Sequence, residues 1–178
     1  PFSGRLLIEA EDFAEDPPPK FFRLSPGREV RLRGAYFVTA TSVEKDDQGQ
    51  VVAVHATYDP ATRGGSAPDG RRVKSTMHWV AADHAEVLEV RCYDHLFAAL
   101  HPGELTGEIF DDLNPASRQD LTGCQAEPAL LDVAPGQVVQ FERLGYFAAD
   151  PVQPRLFHRT VGLRDEWSRI RQRQAASP

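Results

Sequence analysis

The feature that most constrains what this chain can fold into is its succession of short period-two segments, each closed off by turn chemistry. Residues 5–10, 29–33, 35–43, 51–58, 74–81, 85–93, 129–132 and 138–143 alternate apolar and polar side chains. That spacing sets one face of an extended strand against a core and the other in water. Between them stand Ser25-Pro26-Gly27, Asp46-Asp47-Gln48-Gly49, Pro102-Gly103, Asn114-Pro115 and Ala134-Pro135-Gly136. Many short strands at such intervals predict an all-β chain, a barrel or sandwich, rather than alternating βαβ units. The best helical signal is 165–176, with Asp165 as N-cap and Trp167 and Ile170 three residues apart as its apolar pair. Asp16-Pro17-Pro18-Pro19 reads as a stiff connector and 100–107 as a second crossing point, which gives two all-β lobes.

Charge is spread unevenly. The net charge of −6 argues against a surface coated in cation for indiscriminate nucleic-acid binding, but it leaves room for a local basic patch. Glu9, Glu11, Asp12, Glu15 and Asp16 crowd one segment, whereas Lys20, Arg23, Arg28, Arg31 and Arg33 face only Glu29 in the next. Arg169, Arg171 and Arg173 recur every two residues near the end and so do not share a helical face. No apolar run approaches the roughly 20 residues that a membrane-spanning helix needs, and no signal-peptide pattern is present. The expectation is a soluble, cytoplasmic protein with no membrane partner. Cys92 and Cys124 lie in unrelated contexts and read as free thiols of a reducing compartment.

The densest cationic feature is Asp69-Gly70-Arg71-Arg72-Val73-Lys74, a turn dipeptide that launches a strand with three cations at its rim. Just upstream, Arg63 tips the glycine-rich stretch Gly64-Gly65-Ser66. The pair forms a basic finger suited to phosphate or base edges, although an exposed Arg/Lys hairpin also serves simply to guard a sheet edge.

Independent chemistry finds little support. His78, His84, Cys92 and His95 fit no compact zinc-ligand spacing. Cys92 with His95 as its base would need an exposed, acidified thiol, and Cys92 sits inside an apparent strand. No GxxxxGK[ST] or GxGxxG sequence is present to cradle phosphate. No cofactor or metal is expected in this chain, and binding is the better reading.

The residues also carry a resemblance. Pro1-Phe2-Ser3, Asp12-Phe13, Glu29-Val30-Arg31-Leu32-Arg33, Thr57-Tyr58-Asp59, Asp69-Gly70-Arg71, Val73-Lys74 and His78-Trp79-Val80 come first. Tyr93-Asp94, Leu96-Phe97, Asn114-Pro115, Ala126-Glu127-Pro128, Gln140-Phe141-Glu142-Arg143, Gly145-Tyr146-Phe147 and the run from Arg159 to Asp165 follow in order. Together they resemble, over nearly the whole chain, the C-terminal anticodon-binding region of glutaminyl-tRNA synthetases, class I enzymes of the Glu/Gln type.

The resemblance implies two β-barrels of the ribosomal-L25-like kind. The proximal barrel is expected over 1–24 and 101–165, the distal barrel over 25–100 as an insertion, and a C-terminal helix or tail over 166–178. It implies a ligase whose ATP and Mg belong to an N-terminal catalytic core, so this part alone is expected to be inactive. The implied partners are that core and the anticodon loop of tRNA(Gln), in a monomeric protein. An unpaired loop can splay its bases into pockets that read their Watson–Crick edges. By resemblance Gln140 and Arg143 line the pocket of the central U, assisted by Arg5, while Arg31, Arg33, Arg63, Arg71 and Lys74 engage flanking bases and phosphates. Gly4 stands where relatives carry an arginine, Gly34 where they carry an asparagine, and residues 64–66 where they carry lysine. Three alternatives stay open at this point: the same region of an archaeal or eukaryotic-type glutamyl-tRNA synthetase, a free-standing RNA-binding module with this barrel, and a Cys/His hydrolase.

Overall fold

Val30 and Leu32 are almost fully buried, while Glu29 and Arg31, on the other face, are half-buried, so strand β2 (Glu29–Leu32) shows the alternation its sequence predicts. The computed structural model describes residues 1–104 and 107–163. Among them the chain is all-β, and its only helical segments are short 3-10 turns. The expected helix or tail over 166–178 lies outside the described residues. Two compact units divide between His84 and Ala85.

In the first unit, β1 (Leu6–Leu7) pairs with β6 (Val80–Ala81). A four-stranded sheet runs β4 (Val51–Asp59), β3 (Phe37–Lys45), β2 and β5 (Thr76–Met77), the last two parallel. The β2–β3 turn closes with Ala35 N donating to Leu32 O at 3.0 Å, and Gly34 supplies its left-handed residue at φ +65°. The β3–β4 turn forms where predicted: Asp46 Oδ1 accepts from Gln48 N at 3.0 Å and Gln50 N at 2.8 Å. Leu24, Val30, Leu32, Ala35, Val38, Ala40 and Met77 make the core.

The second unit holds one five-stranded sheet in the order β8 (Arg118–Ala126), β7 (Glu86–Tyr93), β11 (Leu156–Gly162), β10 (Gly145–Ala149) and β9 (Val138–Phe141). Only β7 and β11 are parallel neighbours. Leu88, Val90, Cys92, Phe147 and Phe157 fill the inner face, and Phe141 stacks on Phe147 with centroids 4.2 Å apart. Cys92 is buried among them and Cys124 is also a free thiol.

The all-β class is the one expected, with sheets that are open rather than closed barrels. Contacts among the residues cluster into units that meet at His84 and Ala85, with β1 paired to β6 in the first and β11 to β7 in the second. Two elements depart from expectation. The strand expected over 74–81 is two short pieces, which leaves Arg71, Arg72 and Lys74 in the loop that precedes it. Residues 129–132 form part of a 3-10 turn, with Pro128 at its start.

Candidate nucleic-acid interface

The basic finger of the first unit is organised by Arg71, most of whose guanidinium donors are engaged. Its Nε and Nη2 each reach Glu29 at 3.0 Å, Nη1 reaches Asp69 at 2.7 Å, and Nη2 also pairs with Asp59. The guanidinium lies over the Phe37 ring, 5.5 Å from its centroid. Hydrogen bonds to Glu29, then Asp59, then Asp69 raise its pKa above the ordinary arginine value. Asp59 is held below the usual carboxylate range by Arg71 and by Ala61 N–H, and Asp69 by the backbone N–H and then the side chain of Arg71.

Arg31 is turned inward in the same way. Its Nε and Nη2 donate to Thr76 Oγ1 at 2.9 and 2.6 Å and its Nη1 to Gly65 O at 3.3 Å, which ties β2 to β5 and to the loop. Gly65 sits at φ +88°, and a Cβ there would lie 2.9 Å from Arg31 Cδ, so the close approach requires glycine. Buried Thr62 fixes the loop's near end, donating to Asp59 O at 2.7 Å and accepting from Phe37 N at 2.8 Å.

The cations left pointing outward are Arg63, Arg72 and Lys74, the last with Nζ 4.9 Å from the Phe22 ring centroid. Arg33 is exposed at the β2–β3 turn, where its carbonyl accepts from Trp79 Nε1 at 2.9 Å. Arg5 pairs with Asp83 at 2.7 Å, but at 79% side-chain exposure that bridge contributes little.

In the second unit Gln140 is exposed on the edge strand β9, directly opposite Tyr146 of β10. Arg143 occupies the turn between them in the left-handed region, at φ +66°, half-buried. Leu144 N donates to Phe141 O at 3.0 Å to close the hairpin. Gly145 follows because a Cβ there would lie 2.3 Å from Val161 O.

Two family models, both described as the anti-codon binding domain of tRNA synthetases class I (E and Q), match residues 1–59 and 76–150. The chain belongs to that family. Its relatives include glutamine–tRNA ligases of Nitrobacter winogradskyi, Bradyrhizobium diazoefficiens and Rhodopirellula baltica. They are 55%, 49% and 49% identical over 95%, 94% and 96% of this chain, which spans 30%, 30% and 29% of their lengths. The matched stretches lie on either side of the basic finger, and the second includes the Gln140 corner.

Of the residues singled out in the sequence, Arg31, Arg33, Arg63, Arg71 and Lys74 come together around β2 and the loop before β5, Arg5 stands on β1's approach, and Gln140 and Arg143 share the β9–β10 hairpin. Sequence reasoning placed Arg23 in a basic segment but missed its pairing with fully buried Asp12 at 3.1 Å; this pair and Lys45–Glu15 at 2.6 Å serve the acidic segment. It also missed a chain of polar contacts on the second sheet. Tyr93 Oη meets His158 Nδ1 at 2.7 Å, and His158 Nε2 meets Asp150 at 2.8 Å. Among the described residues no three His, Cys, Asp or Glu side chains are grouped to hold a metal ion, and no helix is long and apolar enough to cross a membrane.

Proposed function

We propose that this chain reads the anticodon loop of a glutamine tRNA, as the RNA-binding part of a ligase that joins glutamine to that tRNA using ATP. The catalytic core, with its ATP and magnesium, lies outside the part of the relatives that this chain spans. The chain alone neither activates glutamine nor esterifies tRNA, and the protein acts in the cytoplasm as a monomer.

The observation that carries this reading is the Gln140 corner in a chain so similar to glutamine–tRNA ligases. An amide offers both a donor and an acceptor, the combination that a uracil edge needs, whereas the Arg143 guanidinium offers donors only. A matched base is worth about 1–3 kcal/mol of discrimination by analogy with paired edge contacts. Arg33, Arg63, Arg72 and Lys74 face solvent and are suited to phosphate contacts, which position the RNA without reading it. Arg31 and Arg71 act by holding the loop in shape.

Binding of the intact protein to a glutamine-tRNA anticodon stem–loop, compared with one whose central U is replaced by C, tests the proposal at two salt concentrations. A preference for U of about tenfold, with affinity falling steeply as salt rises, is expected. Equal affinity for both loops contradicts it.

A further inference from the structure

The outward face of the five-stranded sheet carries two exposed tyrosines. Tyr93 is engaged within the protein: its ring stacks on His158 with centroids 5.8 Å apart and planes 15° apart, and its hydroxyl bonds the same imidazole. Tyr146 differs. It is 40% exposed, its neighbours Gly145 and Phe147 are buried, and no aromatic ring of the described residues stacks on it. In register it stands between Gln140 on β9 and Val161 on β11.

Directly opposed residues share a face, with Cβ atoms roughly 4.5–5.5 Å apart. Tyr146 and Gln140 are therefore direct cross-strand neighbours on one face, with exposed Val161 as an apolar flank on the other side of Tyr146. The backbone beneath it is closely fixed. Thr160 Oγ1 donates to Tyr146 O at 3.0 Å, the β10–β11 register shifts between Tyr146 and Phe147, and Gly145 admits no side chain.

We infer that Tyr146 is the stacking platform for the unpaired nucleobase whose edge Gln140 reads; this rests on the assignment of Gln140 made above. An exposed flat ring, across the strand pair from an amide with both a donor and an acceptor, matches how single-stranded bases are held by stacking and recognised at their edges. The two side chains divide the work. Every base has a π-face, so Tyr146 supplies affinity that tolerates sequence, and Gln140 supplies the choice among bases.

The test uses the intact protein and three anticodon stem–loops, with U, C or an abasic residue at the central position. Tyr146→Thr is expected to weaken binding of the U and C loops by about tenfold each, leaving their ratio and the abasic loop's affinity unchanged. Tyr146→Phe, which keeps the ring, is expected to stay within about twofold of the unsubstituted protein. A Tyr146→Thr protein that binds the U loop normally, while Gln140→Ala abolishes the U preference, overturns the stacking role alone. So does an equal loss of affinity for all three loops. A Gln140→Ala protein that keeps its full U preference overturns the site assignment and the inference with it.

Discussion

Arg71 lays two of its nitrogens on the carboxylate of Glu29, each at 3.0 Å, across 42 residues of sequence. With Asp59 and Asp69 on its remaining side, the arginine central to the basic finger works as an internal clamp. Arg71→Met is therefore expected to loosen the loop between Thr62 and Thr76, seen as faster amide exchange and proteolysis there. Arg63→Ala, Arg72→Ala and Lys74→Ala are expected to leave exchange unchanged and to weaken RNA binding uniformly across loop sequences. Each that loses a phosphate contact lowers the slope of log affinity against log salt by about 0.7.

Arg23 and Asp12 make the second prediction. Asp12 is fully buried, and its bridge to Arg23 at 3.1 Å crosses the connector of three prolines. Removing a charged partner of a buried carboxylate weakens its compensation, so Arg23→Met is expected to lower stability in urea unfolding by up to about 3 kcal/mol.

Gly145→Ala tests the β10–β11 approach. A methyl group 2.3 Å from Val161 O forces the strands apart, with an expected loss of about 2 kcal/mol of stability. The comparable change at open Gly162, where nothing lies within 4 Å of the added carbon, serves as the control and should cost much less.

Asp150 gives the second unit an acid-dependent contribution. Gln153 N–H, His158 and Val152 N–H lower its pKa from 3.8 to about 2. A depressed carboxylate stabilises the fold fully above its unfolded pKa, and that contribution is lost as pH falls through the folded value. Stability measured from pH 5 to pH 2 should therefore decline between about 4 and 2 in the unsubstituted protein, and Asp150→Asn should flatten that part of the profile.

The sequence revealed the alternating strands β2 and β7 and the turn that Asp46 closes, but not β10, whose burial alternates as well. It concealed β8, whose residues are nearly all exposed and whose pairing with β7 comes from the backbone. It also concealed β11, where Leu156 and Phe157 are buried in succession without alternation. The site was legible in part. Residue types marked the cations and the resemblance marked Gln140, but which arginine faces outward depends on carboxylates distant in sequence, as Glu29 is from Arg71. Of the aromatics near the candidate residues, Phe37 and Phe147 are core at 3% exposure, while Tyr146 lies outward. The hydroxyl that favours the wet face is the signal that could have separated them.

The central claim is tested most directly by cross-linking the intact protein to a glutamine-tRNA anticodon stem–loop that carries 4-thiouridine at its central position. The account predicts a cross-linked peptide containing the β9–β10 hairpin, within residues 138–149. A cross-link confined to the loop between Thr62 and Thr76, with none at the hairpin, would contradict it.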